Sequence, residues 1–147
     1  MINSLLKECK IMPIENSVAA GTATTVGEII DTAGFGGALF IYKLGTVTDG
    51  AAVTLKIYSG TNATVTDVAE LSGASAAIAA TSTDSEQRLV IEVIKPRERY
   101  LRPTIVTATQ NVEIDDAICI LFNPDVIPTT QPATVDVATL VVSPAEV

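Results

Sequence analysis

Between Thr22 and Asn123 the chain is a succession of short apolar runs of period two, cut by turn residues, with almost no helical periodicity. Successive side chains of a strand point to opposite faces, so such alternation means sheet with one buried face. Residues 52–58 show it most clearly: Val53, Leu55 and Ile57 share one parity, Thr54, Lys56 and Tyr58 the other. Residues 87–94 repeat it with Leu89, Ile91 and Val93 inward. Residues 25–30, 100–107 and 112–122 supply further strands, and in the last of these Ile114, Ile118, Ile120 and Phe122 share a parity. Residues 38–44 are apolar on both parities, which predicts a strand buried on both faces. Residues 74–80 suit a short helix or a flat strand equally. Roughly six to eight short strands with no amphipathic helix between them predict an all-β chain, an antiparallel two-sheet β-sandwich of jelly-roll type.

Turn chemistry and composition point the same way. Asp31-Thr32-Ala33-Gly34 ends the first strand, Thr48-Asp49-Gly50 is a hairpin signal, and Thr109-Gln110-Asn111 joins the last two strands. Apolar residues make up 48% of the 147, yet aromatics only 4%. The core must therefore be built from Ala, Val and Ile, and the β-branched members, with Thr, favour strands. Three regions follow. Residues 1–21 form an N-terminal arm, with Ile2, Leu5, Leu6 and Cys9 at helical spacing before Pro13. Residues 22–123 form the sandwich core. Residues 124–147 form an extended tail marked by Pro124, Pro128, Pro132 and Pro144. In it, residues 134–142 suit either an added strand on another sheet edge or a strand of the core.

The residue inventory narrows the chemistry. There is no His, which removes Ser-His and Cys-His nucleophile pairs, His-metal sites and imidazole acid–base work. Gly34-Phe35-Gly36-Gly37 lacks the Lys-Ser/Thr and the following helix that a phosphate cradle needs, and reads as a tight turn before a strand. Glu113, Asp115, Asp116 and Asp125 do not have calcium-loop spacing and read as solvated carboxylates. Cys9 and Cys119 read as unpaired thiols of a reducing compartment, and Asn62-Ala63-Thr64 as a chance sequon. No catalytic, metal-binding or cofactor-binding residue is predicted, and no enzyme. A net charge of −8 and a pI near 4.3 repel a phosphate backbone, so no nucleic acid is expected. The longest charge-free stretch, residues 71–83, is too short and too polar to span a bilayer, and Lys7, Glu8 and Lys10 interrupt any secretion signal. A soluble protein without a membrane partner is expected. A charged fraction of 18% with a mean hydropathy of +0.41 favours association with a partner or with copies of itself.

One local bias is basic. Arg88, Lys95, Arg97, Arg99 and Arg102 are five of the nine cations. Pro96 ends a strand, so residues 95–99 are expected at the tip of a hairpin. Lys95, Arg97, Arg99 and Arg102 are the candidate partner-binding residues, docking an acidic surface through charge-assisted hydrogen bonds. The alternative is a solvated tip paired with the chain's own Glu92 and Glu98.

Three segments carry a resemblance: residues 30–35 (IDTAGF) leading into an apolar strand, residues 95–103 (KPRERYLRP), and residues 111–118 (NVEIDDAI). In order and approximate spacing, over about residues 26–121, they resemble the capsid decoration proteins of tailed phages, also called cement or auxiliary head proteins. The tail after Asn123 departs from the shorter members of that family. The resemblance implies a jelly-roll sandwich, made in the host cytoplasm, that binds the capsid exterior as a homo-oligomer and bridges major capsid protein subunits. A homodimer is favoured over a trimer, since isologous pairing is the commonest closed symmetry. The alternatives are a neck or tail component of the same virion, or a host-surface binding β-sandwich; the second is weakened by the absence of Trp.

Overall fold

The computed structural model describes residues 4–66 and 69–142. Ile2, of the N-terminal arm, and Pro144, of the tail, lie outside them. One helical turn, α1 (Leu5–Glu8), precedes ten strands among the described residues. These are β1 (Lys10–Glu15), β2 (Val18–Gly21), β3 (Thr24–Val26), β4 (Ile30–Asp31), β5 (Phe35–Val47), β6 (Ala51–Gly60), β7 (Ala69–Ala80), β8 (Arg88–Ile94), β9 (Tyr100–Ala108) and β10 (Val112–Pro124). A 3₁₀ turn, Ser82–Asp84, separates β7 from β8.

Sheet I has the order β1-β10-β5-β8, with β2 also on β10. Sheet II has the order β3-β9-β6-β7, with β4 also on β9. Every pairing is antiparallel. The chain moves between the sheets at β2–β3, β4–β5, β5–β6, β7–β8, β8–β9 and β9–β10, which makes the sandwich a jelly roll. The Asp49-Gly50 turn, read as a hairpin, is therefore an arch from one sheet to the other. Gly50 does take a positive φ of 85°, but β5 already has β10 and β8 on its two sides and leaves no edge for β6. Residues 95–99 are likewise an arch from β8 to β9, not a hairpin tip.

The core lies between the sheets. Phe40, Tyr42 and Leu44 of β5 meet Val53, Leu55 and Ile57 of β6, with Leu89, Ile91 and Val93 of β8 and Leu101 and Ile105 of β9 around them. Burial of each such side chain contributes about 1.5–3 kcal/mol. The alternations of β6 and β8 point as the sequence predicts, and residues 74–80 are strand.

Three expectations are corrected. β5 is not buried on both faces: Phe40, Tyr42 and Leu44 enter the core, while Leu39 and Ile41 lie half-buried on the outside of sheet I. β10 does not keep one parity. Its register shifts between Ile114 and Asp116, so Val112 and Ile114 point inward, then Ala117, Cys119 and Leu121 do. The bulge turns Ile118, Ile120 and Phe122 to the outside. Residues 1–21 are not wholly an arm. β1 pairs with β10 from Lys10 to Glu15, β2 joins the same strand, and Ile14 is 2% exposed. Pro13 is tolerated because β1 is an edge strand, with an irregular register beside it. The last strand, expected to end at residue 122, runs to Pro124, one residue past the expected end of the core at Asn123.

Among residues 125–142 there is no strand. The tail folds back along the start of the chain: Thr129 donates its N–H to Lys7 O, and its hydroxyl donates to Cys9 O. The Gln131 amide donates to Leu6 O and Cys9 O and accepts from Ile11 N. The tail thus covers the outer edge of β1 and holds α1, too short to be stable alone, in place.

Candidate docking surface

The two motifs that bracket the sandwich meet in space. Asp31, at the end of β4, accepts two hydrogen bonds from the Arg99 guanidinium, Nε to Oδ1 at 2.8 Å and Nη2 to Oδ2 at 2.7 Å. Thr32 adds its N–H and its hydroxyl to Arg99 O, at 2.9 and 2.8 Å. Asp31 Oδ1 also accepts from Ala33 N, closing an Asx turn, and Gly34 takes a φ of 82°. The Arg99 guanidinium lies 5.1 Å over the Tyr100 ring. A fork-on-fork pair of this kind holds the β4–β5 turn against the β8–β9 arch and holds the Asp31 carboxyl below its ordinary range. Arg99 is therefore spent inside the chain, on Asp31 rather than on Glu92 or Glu98.

The other three candidate cations part company. Lys95, with a φ of 51°, and Arg97 are exposed on the arch and form no ion pair among the described residues. Arg102 stands on the outer face of sheet II, 5.5 Å over the Tyr58 ring, its Nε buried without a hydrogen-bond partner. Arg102 borders a cleft of about 600 Å³ that Glu15 and Glu28 also line. Lys95 and Arg97 thus share one end of the sandwich with the Asp31–Arg99 clamp, and Arg102 does not join them.

That end adjoins an apolar surface. Outside sheet I, Leu39 and Ile41 of β5 lie beside Ile118, Ile120 and Phe122 of β10, all half-buried. Val90 and Ile94 of β8, 50% and 64% exposed, carry the patch to the sheet edge on either side of the exposed Glu92, which pairs with Leu39. The Phe122 ring lies over Gly37, the residue that pairs with Ile94, so side chains on neighbouring strands make one continuous surface. α1 covers part of it: Leu5, Leu6 and Cys9 line an apolar groove of about 430 Å³ with Leu39, Ile120 and Phe122. The outer face of sheet II instead shows Thr54, Lys56, Tyr58 and Ala77, with Lys56 paired to Glu70. The run 38–44, apolar on both parities, was the sequence signal for its β5 part.

The opposite end of the sandwich is acidic. Asp49 and Asp84 cap the 3₁₀ turn, Glu113 accepts from Thr46 N, and Glu86 and Asp115 converge on Lys43. Among the described residues no three His, Cys, Asp or Glu side chains are placed to hold a metal ion. Both cysteines are free; burial pushes the Cys119 thiol up to about 12, and burial with the Glu8 charge raises Cys9. No helix among them is long and apolar enough to cross a membrane.

No protein-family model matches the sequence, and no curated protein matches it. Among solved structures, the chain is similar to one in the infectious bursal disease virus Gt strain, at 12% identity over 82% of this chain and 34% of that one, with a TM-score of 0.45. It is similar to latent PorU from Porphyromonas gingivalis, at 15% identity over 82% of this chain and 13% of that one, with a TM-score of 0.46. It is also similar to a carbohydrate-binding module of Cellvibrio mixtus lichenase 5A, at 13% identity over 77% and 96%, with a TM-score of 0.33. The chain spans about a third of the viral chain and about an eighth of PorU.

Proposed function

We propose that this protein is a structural component of a phage virion that binds the outer surface of the capsid and stabilises it by bridging major capsid protein subunits. It works by being buried and transforms no substrate. The observation that carries the reading is the outside of sheet I: a continuous apolar surface, incompletely covered, ending at two cations without carboxylate partners on a chain of net charge −8. Such a surface suits a partner whose apolar seam is rimmed by acidic groups, where burial supplies affinity and charge supplies orientation. The resemblance of residues 30–35 and 95–103 to the cement proteins supports the same reading. A ligand that exists only in the assembled shell stabilises that shell by mass action, and each bound copy adds to the effect.

Cosedimentation of the purified protein with empty expanded shells of the phage's major capsid protein tests it. Saturable binding at hundreds of copies per shell, with a higher shell melting temperature, is expected. A folded protein that stays in the supernatant would overturn the reading.

A further inference from the structure

Four strand edges bound the two sheets. β1 is covered by the chain's own tail, β3 and β4 are short and separated by residues 27–29, and β7 bends at Gly73, where φ is 82°. β8 is the regular one. Among the described residues it has β5 on one side and no strand on the other. The ladder to β5 is continued at both ends by Leu44 N to Gln87 O at 2.9 Å and by Lys95 N to Gly36 O at 2.8 Å. Hydrogen-bonded pairs alternate along an antiparallel ladder, so Leu89, Ile91 and Val93 are the residues bonded to β5. The main-chain groups of Arg88, Val90, Glu92 and Ile94 therefore point to the open edge.

We propose that this edge pairs with β8 of a second copy, antiparallel across a twofold axis at Val90. That register sets Val90 opposite its counterpart and Arg88 opposite Glu92 of the other copy, twice, on the outer face. Both charges are exposed and neither forms an ion pair among the described residues. Sliding the axis to Glu92 or to Arg88 sets like charges against each other, and setting it at Ile91 opposes charges to Val90 and Ile94. The strand is thus self-complementary in one register, which is how an edge specifies a partner rather than aggregating. The ladder stops where Glu86 and Lys95 turn to positive φ, at 63° and 51°. Pairing joins the two five-stranded sheets, and the apolar outer surfaces of the two copies meet at the Val90 pair, flanked by the Arg88–Glu92 pairs. The inference stands on this edge alone and does not need the capsid reading.

Sedimentation equilibrium of the full chain, at about 1–100 μM, tests it. A dimer is expected. Glu92→Arg sets arginines against each other and raises the dimer dissociation constant by about tenfold or more, and Arg88→Glu with Glu92→Arg in one chain restores it. In a Cys9→Ser background, Val90→Cys crosslinks the dimer on oxidation, because directly opposed hydrogen-bonded residues lie within disulfide reach, whereas Ile94→Cys does not. A wild-type monomer throughout the range, a double reversal as weak as the single one, or equal crosslinking at both positions overturns the proposal. A monomer that binds shells defeats the dimer and leaves the capsid reading standing; a dimer that ignores shells does the reverse.

Discussion

The Asp31–Arg99 pair shows how far one side chain can decide what another is free to do. A guanidinium with both of its forks on a carboxylate, stacked on Tyr100, and with its own carbonyl held by Thr32, presents little to an outside partner. Both groups remain about half exposed, so solvent screens their attraction, and the pair contributes mainly by fixing the arch. Its pH dependence has a definite sign. Arg99, by hydrogen bonding first and by charge, lowers the folded pKa of Asp31, while the unfolded chain titrates near an ordinary value of about 4. The stability it contributes is full above about pH 4 and is lost as pH falls through the lowered folded value. Urea midpoints of wild type and Asp31→Asn measured from pH 7 to pH 2 should therefore differ at neutral pH and converge in acid. A constant gap would show that the carboxylate charge is not what holds the turn.

At the scale of elements, β1 and α1 adjoin in sequence and differ in what they anchor. Ile14 is sealed between the sheets, so Ile14→Ala should cost about 2–5 kcal/mol in urea unfolding. Gln131→Ala removes the amide that ties the tail to Leu6, Cys9 and Ile11, yet touches nothing in the core. It should speed amide exchange at Ile11 and across α1 and leave the unfolding midpoint nearly unchanged; a large shift in midpoint would mean the tail is part of the cooperative unit. That β1 belongs to the sandwich was hidden by Pro13 and by the helical spacing of Leu5, Leu6 and Cys9 before it, which read as an arm, because an edge strand tolerates a proline that a central one cannot. β6 and β8 were legible because a strand with one wet face writes its orientation in its alternation. β10 was half legible: its strand was visible, but the extra residue at Asp115–Asp116 leaves no mark in an apolar/polar pattern, and it inverts every side chain after it. The arches escaped for a related reason, since a turn sequence sets local dihedrals and the occupancy of the neighbouring edges decides which sheet the chain enters. Of the four candidate cations, the pattern located the cluster but not Asp31, a partner 68 positions away.

For the whole molecule, the asymmetry between its ends matters more than its net charge. Carboxylates crowd the end bearing Asp49, Asp84, Glu86, Glu113 and Asp115, while Lys95 and Arg97 project from the other beside the apolar face of sheet I. An approaching acidic surface is repelled by one end and admitted by the other, so the charge pattern orients the molecule before apolar contact is made. If this surface docks on a capsid, Lys95→Glu with Arg97→Glu should slow association with shells and weaken binding at low salt, and the deficit should shrink as salt rises, because exposed charges are screened beyond roughly 10 Å at 0.1 M. Phe122→Ala, which removes apolar area and leaves the charges in place, should instead speed dissociation by a factor that salt hardly changes. The two variants separate steering from burial because one acts through long-range field and the other only in contact. Shell binding unaltered by both would mean that the partner meets a different face, and the polar outside of sheet II, with Arg102 over Tyr58, is the remaining broad surface it could use.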